Sequence, residues 1–428
     1  MTELLTDDWL ERLRSCNRLF IAYSGGLDST VLLHALVREP LLVKKISAVH
    51  VNHGLSDNAD TWNVHCQQMC DTLNVPLIVR KVSINRSANV EAQARTARYA
   101  VFRSLVDEND GLLLGHHLND QAETVLLQLF RGAGVGGLAA MAGMKKFAKG
   151  QIFRPFLHLS RQSLSTYAMN HHLSWINDES NTDCNFSRNF LRHDVIPLLQ
   201  TRWPGVMTNL ARTASHCRDA QKQLNDLAAI DYPALDESRN KLLIMPLKSL
   251  SYSRINNVLQ SWLKKNAVRM PDTATFNRLV PEVILAKQNA DPEIAWDGYC
   301  VRRYQETLYL LKKTHENQRA PVEWLSFPKP LLLSSGTLCA SLSKQGVTLP
   351  PKSTIQIRFR QGGEVFCWHG QTKSLKKLLQ EWQIPPWQRD HIPLVYINEQ
   401  LAAVVGYAVS DIFYNASSGN TYQITLDC

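Results

Sequence analysis

Short apolar runs alternate with helical patterns through the N-terminal third of the chain, and this alternation constrains the fold more than any other feature. The runs are Leu19–Tyr23, Lys45–Val51, Leu77–Val82 and Gly111–Gly115. Each precedes a helical pattern, at about 29–38, 58–74, 90–107 and 120–131. Strands that short are fully buried only in a parallel sheet covered by helices, and such a sheet carries its ligands at the carboxyl ends of its strands. The rhythm predicts an α/β fold whose functional residues lie just after the runs. It ends near residue 190, where 189–200 and 203–230 read as helical and Tyr232-Pro233 interrupts. A second helical block at about 246–288 precedes strand-like segments at 293–312. The Pro-rich passage 320–351 reads as a linker, and a mixed α/β unit follows from Thr354. The expected architecture is therefore an N-terminal parallel sheet flanked by helices (1–215), a mainly helical middle domain (216–330) and a small mixed α/β C-terminal domain (350–428).

With 428 residues, 44% hydrophobic and 20% charged, the chain is long enough for about two to three domains and too apolar for general disorder. No stretch reaches the roughly 18 to 20 apolar residues of a membrane span. The first residues carry Glu3, Asp7 and Asp8 where a signal peptide needs positive charge, so a cytoplasmic protein without membrane contact is expected. Nine scattered cysteines with no CxxC pair read as reduced thiols. The formal charge of +9 is compatible with a polyanionic partner and, by itself, equally with simple solubility.

The string Ser24-Gly25-Gly26-Leu27-Asp28-Ser29-Thr30 follows the first strand and opens the first helix of the rhythm. Two glycines allow a tight turn and close backbone approach. The free amides of a helix start form an anion nest, and the hydroxyls add donors. This is phosphate-binding chemistry without the GxxxxGK[ST] lysine of a P-loop hydrolase. Asp28 among phosphate donors suits a magnesium ion, hence MgATP. SGGLDS resembles the signature of the PP-loop ATP pyrophosphatases, which cleave ATP to AMP and pyrophosphate while adenylating a carbonyl-type oxygen.

Further segments narrow the likeness. His50-Val-Asn-His53-Gly54-Leu55 is similar to an HxxHGL element, and Glu91 to Tyr99 to an EAxARxxRY helix containing Arg95 and Arg98. His116-His117-Leu-Asn119-Asp120-Gln121-Ala-Glu123-Thr124 is similar to HHxDDQxET, and Arg131 to Leu138 to RGxGxxGL. Trp175 to Asp183 is similar to WxxDxSNxD, and Arg188-Asn189 with Arg192 to RNxLR. Together and in this order they resemble the bacterial tRNA(Ile)-lysidine synthetases. The chain departs from that pattern at Asn119, where an aspartate is usual.

The residues alone leave some roles open. Asp120, Glu123 and Thr124 share one helix face at i, i+3 and i+4, opposite the apolar stripe Leu118, Ala122, Val125, Leu126 and Leu129. The two carboxylates suit magnesium, the ammonium of an amino-acid substrate, or a helix-capping pair. The histidines have no i, i+4 pairing, and Cys66 with Cys70 has no second pair, so no zinc site is expected. Gly132, Gly134 and Gly137 follow a helix, so they read as a helix-ending active-site loop instead of a dinucleotide fingerprint.

Between Lys352 and Arg389 seven basic residues face two acids, interleaved with Trp368, Trp382 and Trp387. Such a stretch suits RNA, through phosphate contacts and base stacking, or else a solvated helix face with core tryptophans. The resemblance implies a sheet domain of the adenine nucleotide alpha hydrolase type, with C-terminal and middle domains that hold tRNA. It further implies ligation of L-lysine to the wobble cytidine of the CAU-anticodon isoleucine tRNA, using ATP with Mg2+ and no permanently bound cofactor. On this basis Ser24 to Thr30 bind ATP, Asp28, Asp120 and Glu123 are catalytic, and magnesium sits on Asp28 or Asp120. His50, His53, Arg95, His117, Gln121 and Arg131 line the active-site loops, while Arg188, Arg192, Lys373, Lys376, Lys377, Trp387 and Arg389 contact tRNA. The sequence leaves the oligomeric state open, a homodimer included.

Overall fold

The computed structural model describes residues 4–54, 58–83, 90–178, 183, 185–287, 290–313, 320–414 and 420–427. The chain divides into two compact units, Met1–Leu227 and Ala228–Cys428.

The first unit is built on a six-stranded sheet of order β3-β2-β1-β4-β6-β5. Its strands are β1 (Leu19–Ala22), β2 (Ile46–Asn52), β3 (Leu77–Lys81), β4 (Gly111–Leu113), β5 (Met144–Phe147) and β6 (Gly150–Phe153). All neighbours pair in parallel except β5 with β6. The helices are α1 (Asp7–Arg14), α2 (Leu27–Val37), α3 (Ala59–Thr72), α4 (Val90–Leu105), α5 (Leu118–Phe130), α6 (Val135–Leu138), α7 (Arg161–Asn170), α8 (Ser187–Phe190), α9 (Ile196–Arg202) and α10 (Val206–Asp231). The expected β–α rhythm is present, with α5 starting two residues earlier than its pattern suggested. Helix α2 is apolar around most of its circumference because it lies against the sheet on one side and α7 on the other. Leu27, Val31, Leu32, Leu33, Ala35 and Leu36 are all buried, which is why its sequence reads as a run and not as a stripe.

The strand order reverses between β1 and β4: from β1 the chain moves outward to β2 and β3, then returns to β4 on the other side. An open parallel sheet leaves a crevice at such a point, outside the carboxyl ends of the two strands. The loop Ser24–Gly26 and the segment His116–Asp120 both leave the sheet there.

The second unit joins helices and antiparallel strands. Helices α11 (Tyr252–Lys265) and α12 (Thr273–Arg278) pack on a four-stranded sheet of order β7-β10-β9-β8, made of β7 (Lys241–Leu243), β8 (Glu293–Trp296), β9 (Tyr299–Tyr304) and β10 (Thr307–Lys312). Trp262, fully buried, centres this core, and its indole N–H donates to the Arg239 carbonyl at 2.8 Å.

The passage read as a linker is not one. It contains β11 (Val322–Glu323), β12 (Leu331–Leu333) and the fourteen-residue β13 (Gly336–Leu349), which pairs antiparallel with β20 (Asn420–Asp427). The prolines at 321, 328, 330, 350 and 351 bracket strands instead of replacing them, as edge and turn positions allow. The remainder comprises β14 (Ile355–Arg358), β15 (Val365–Trp368), β16 (Gln371–Ser374), α13 (Leu375–Glu381), α14 (Pro386–Arg389), β17 (Leu394–Ile397), β18 (Gln400–Val404) and β19 (Ala408–Val409).

Cys16, Cys66, Cys70, Cys217, Cys300, Cys339 and Cys367 are free thiols, whereas Cys184 and Cys428 lie outside the described residues. No described helix is long and apolar enough to cross a membrane. Replacing Trp262 by Ala removes the largest side chain of its core, at a cost of about 3–5 kcal/mol. Denaturant unfolding of the variant should show a clearly lowered midpoint.

Candidate active site at the sheet switch point

The loop after β1 is shaped by its glycines and by its own hydroxyls. Gly25 has φ +81°, and a Cβ there would meet Ile176 Cδ1 at 2.5 Å and Cys66 Sγ at 2.9 Å, so both conformation and space demand glycine. Its carbonyl accepts from the Ile176 amide at 2.9 Å. Ser29 Oγ accepts the Ser24 amide at 3.2 Å and donates to the Gly26 carbonyl at 3.0 Å, closing the turn on the first turn of α2. Thr30 Oγ1 donates to the Gly25 carbonyl at 3.4 Å. Gly26 is the N-cap and has no capping side chain. The amides of Leu27, Asp28 and Ser29 therefore point out of the helix start as donors for an anion.

Gly115, just beyond β4, brings the second element against the first. A Cβ on it would lie 2.9 Å from the Asp28 carbonyl oxygen and 3.0 Å from its carbonyl carbon, which are backbone atoms that cannot swing aside. Two residues on, His117 caps α5. Its Nδ1 accepts the Asn119 amide at 3.2 Å, while the Asp120 carboxylate accepts the His117 amide at 3.0 Å. With Nδ1 so occupied, the proton of the neutral ring sits on Nε2, which lies 3.5 Å from both Asp28 Oδ2 and Asp120 Oδ2. Burial acts to lower the His117 pKa, but the carboxylates of Asp28, Asp120 and Glu123 outweigh it and raise the value above 6.5. Burial likewise opposes ionisation of Asp120, yet the charges of His117 and Arg188 and the His117 amide hold its carboxyl below the ordinary value.

Glu123 is fully buried one turn further along α5. Arg192 grips it with Nε at 2.7 Å and Nη2 at 3.0 Å, and Arg188 Nε adds a contact at 3.1 Å. Burial outweighs the pull of the guanidiniums and raises its pKa above the ordinary value. The bidentate geometry marks the ion-paired form as the one this site holds. Arg192 Nη2 also reaches Asp120 Oδ1 at 3.5 Å, and Arg188 Nη2 donates to Thr124 Oγ1 at 3.0 Å. Both arginines, expected as tRNA contacts, thus face the carboxylates of α5.

The other sequence candidates divide into those that face the crevice and those that support it. His50 is buried, with Nδ1 3.0 Å from the Tyr23 carbonyl and 3.5 Å from Cys66 Sγ, beneath the loop. Its pKa is lowered by burial, as is that of His53, whose Nδ1 is buried with no hydrogen-bond partner. Gln121 spends its amide on Met141, donating to the carbonyl at 3.0 Å and accepting the amide at 3.1 Å, which ties down the segment after α6. Arg95 is exposed, with its guanidinium 5.0 Å from the Tyr99 ring centroid. Arg131 is exposed at the end of α5, before Gly132 at φ +67°. Leu55, Glu179, Ser180, Asn181 and Thr182 of the sequence motifs lie outside the described residues.

Asn119 Oδ1 accepts the Arg161 amide at 3.1 Å, at the start of α7. A carboxylate would serve the same contact, so the departure at this position leaves the local structure without a missing partner. Sequence reasoning did not single out Gly115 or Arg154. Arg154 is buried, donates from Nε to His116 Nδ1 at 3.2 Å and from Nη1 to the Ala142 carbonyl at 2.8 Å, and burial with nearby Arg154, Arg188 and Arg95 keeps His116 neutral against the pull of Asp120. An arginine inside the apolar string Ile152-Phe153-Arg154-Pro155-Phe156 was the available signal.

In the second unit Lys376 and Lys377 are exposed, and Lys373 pairs with Glu381 at 3.0 Å. Arg389, expected as a tRNA contact, is instead buried. It donates from Nε to the Ile384 carbonyl at 2.8 Å and from Nη2 to the Tyr304 hydroxyl at 3.4 Å. Trp387 packs edge-on against Tyr309 at 5.2 Å with the Arg302 guanidinium 5.2 Å from its ring centroid.

Among the described residues no three His, Cys, Asp or Glu side chains gather at metal-binding spacing. Asp28 fits a magnesium ion that shares its other ligands with phosphate and water: its Oδ1 is buried with no hydrogen-bond partner, while its side chain stays 34% exposed. Asp120 fits less well, since both of its oxygens already face His117 or Arg192.

Comparison with known proteins agrees with this geometry. A PP-loop domain model matches residues 2–199, a TilS substrate binding domain 242–309, and a TilS substrate C-terminal domain 355–426. The chain is 51% identical over 423 residues to a tRNA(Ile)-lysidine synthase of Legionella pneumophila (strain Paris), covering 98% of each chain. The chain belongs to the tRNA(Ile)-lysidine synthase family. Its likeness to the tRNA(Ile)-lysidine synthase of Coxiella burnetii is 40% over 418 residues, covering 95% of this chain and 92% of the other. To that of Escherichia coli O157:H7 it is 38% over 401 residues, covering 92% and 93%. As a lysidine synthase family member the chain carries the PP-loop model on the unit that holds the switch point. The two substrate-domain models fall on the second unit.

The raised pKa of His117 has a measurable consequence. Its contribution to stability is complete below pH 6.5 and is lost as pH rises through the folded value. His117→Asn keeps a capping side chain and removes the titration. The stability difference between wild type and variant should therefore be largest below pH 6.5 and shrink as pH rises above it. Thermal unfolding at several pH values checks this, and a difference that grows with pH would be the wrong sign.

Proposed function

We propose that this chain ligates L-lysine to C2 of the wobble cytidine in the CAU anticodon of isoleucine tRNA, forming lysidine at the expense of ATP, as a cytoplasmic enzyme. The observation that carries the reading is the convergence of the phosphate-type loop and the acidic start of α5 on His117, in a chain whose relatives match it over nearly its whole length.

In the first step the C2 oxygen of the cytidine attacks the α-phosphorus of ATP and pyrophosphate leaves. The amides of Leu27, Asp28 and Ser29 and the hydroxyls around them receive the departing phosphates, replacing water by fixed donors. Asp28 supplies the carboxylate for magnesium, which when bound neutralises charge on the phosphates. In the second step the ε-amine of lysine attacks C2 and the oxygen departs with AMP. A free lysine side chain has a pKa of about 10.4, so the amine must give up a proton before it attacks. Asp120 is proposed to hold the ammonium and take its proton, since His117 and Arg188 keep it ionised. Glu123, enclosed by two arginines, supports Asp120 by fixing Arg192 and Arg188 against α5. Lys373, Lys376, Lys377 and the middle helices are proposed to meet tRNA phosphates.

Thiolation of a tRNA cytidine and amidation of a small metabolite are the neighbouring chemistries. The names and near-complete coverage of the relatives favour lysidine formation over both. Incubating the protein with ATP, labelled lysine and a panel of tRNAs tests the reading. Label should enter the CAU-anticodon isoleucine tRNA alone, with one AMP released per lysine incorporated. Incorporation into no tRNA, with AMP released by a small acid instead, would contradict it.

A further inference from the structure

Tyr407 is an aromatic side chain of the second unit that is fixed in place yet left open. It closes a turn in which its amide donates to the Val404 carbonyl at 3.0 Å, with Gly406 at φ +80° supplying the left-handed residue such a turn requires. The Val405 amide anchors the same turn to the Pro393 carbonyl at 3.1 Å. One face of the Tyr407 ring lies parallel to Trp382, with centroids 5.8 Å apart and planes at 11°. Trp382 is held in turn by edge contacts to Trp368 at 5.4 Å and Phe366 at 6.5 Å. With one face covered in this way, Tyr407 is still 47% exposed. A hydrophobic core does not need a ring held so firmly at its edge.

Two clefts meet at this ring. One, of about 740 Å³, is lined by Tyr407 together with Arg302, Lys312, Lys313 and His391. Its one carboxylate, Glu293, is already paired with Arg302 and Lys313, so the cleft carries net positive charge. The other, of about 560 Å³, runs from Tyr407 past Trp368 and His369 to Tyr414, which is 46% exposed. An exposed, pre-stacked ring in a cleft lined by lysines suits a flat, polarisable group carrying a negative charge. An unpaired nucleotide is such a group: its base extends the Trp382–Tyr407 stack and its phosphate meets the lysines.

We propose that Tyr407 is a stacking platform for an unpaired nucleotide of the RNA substrate, with Lys312 and Lys313, which line the same cleft, receiving the phosphate. This rests on the reading of the chain as a tRNA-modifying enzyme and adds to it a site and a mode of contact. The ring is largely pre-ordered, so little conformational freedom is lost when a base arrives. Stacking also tolerates any base, which places this contact on the affinity side of recognition and not on the sequence-reading side.

The test uses the full chain and the isoleucine tRNA, with equilibrium binding followed by fluorescence anisotropy. Tyr407→Leu keeps an apolar contact with Trp382 and loses the π-face, and should weaken binding roughly ten-fold, while Tyr407→Phe stays within about two-fold of wild type. Under turnover, Tyr407→Leu should raise KM for tRNA and leave kcat at saturating tRNA unchanged. Lys312→Ala with Lys313→Ala should reduce the slope of affinity against salt, whereas Tyr407→Leu should leave that slope as in wild type. Binding by Tyr407→Leu equal to wild type would overturn the platform, and so would an equal loss in Tyr407→Phe, which would point to the hydroxyl. Failure of the wild-type chain to bind the tRNA at all would contradict the RNA reading itself, so the two failures are separable.

Discussion

The site depends on one close approach. Gly115, leaving β4, lies so near the backbone of Asp28 that no side chain fits between them. That contact joins two strands whose helices diverge, and it sets the distance from which His117 reaches both Asp28 and Asp120 at 3.5 Å. The sheet order creates the crevice, and the glycine keeps it narrow. Everything charged in the centre follows from this. Asp28 and Asp120 repel each other across this gap, and an imidazole N–H between them relieves that repulsion. The arginines behind α5 then balance the buried charge of Glu123. The result is a polar cluster in which most members already have partners, leaving Asp28 Oδ1 as the carboxylate oxygen without one.

The division of roles along α5 has a simple geometric cause. Residues at i and i+3 share a helix face, but successive turns recede from the sheet edge by about 5.4 Å. Asp120, in the first turn, stays at the crevice beside His117. Glu123, one turn back, is covered by α8 and the segment carrying Arg192. Two carboxylates that look equivalent in the sequence are thus placed in different surroundings, one facing the proposed substrate and one facing arginine.

Much of this was legible in the sequence, for identifiable reasons. The strands β1 to β4 and helices α2 to α5 announced themselves through buried apolar runs and periodicity, and Ser24 to Thr30 through the glycines and hydroxyls that a tight anion-binding turn requires. The start of α5 was misplaced because histidine is not a usual cap, and only the observed bonds from Asn119 and to Asp120 reveal it. The span 320–351 was misread because its prolines suggest breaks, although strand edges tolerate them. Arg389 looked like a phosphate contact because its neighbours are basic and aromatic. The sequence does not reveal that its guanidinium turns inward to the Ile384 carbonyl. Tyr407 was overlooked because its partner ring, Trp382, lies 25 residues away, linked to it by neither motif nor period and brought alongside only by the turn after β18.

The most direct test of the account is a rapid-quench measurement of pyrophosphate and AMP release in the presence of tRNA and lysine, comparing wild type with Asp28→Asn and Asp120→Asn. The account predicts that Asp28→Asn abolishes the release of both, because adenylation is lost. Asp120→Asn should still release pyrophosphate in a first-turnover burst while AMP release and lysidine formation fall by about 10²–10⁴-fold, the usual size of a lost general base. Loss of both products to the same degree in Asp120→Asn, or pyrophosphate release that survives in Asp28→Asn, would contradict the assignment of the two carboxylates to separate steps.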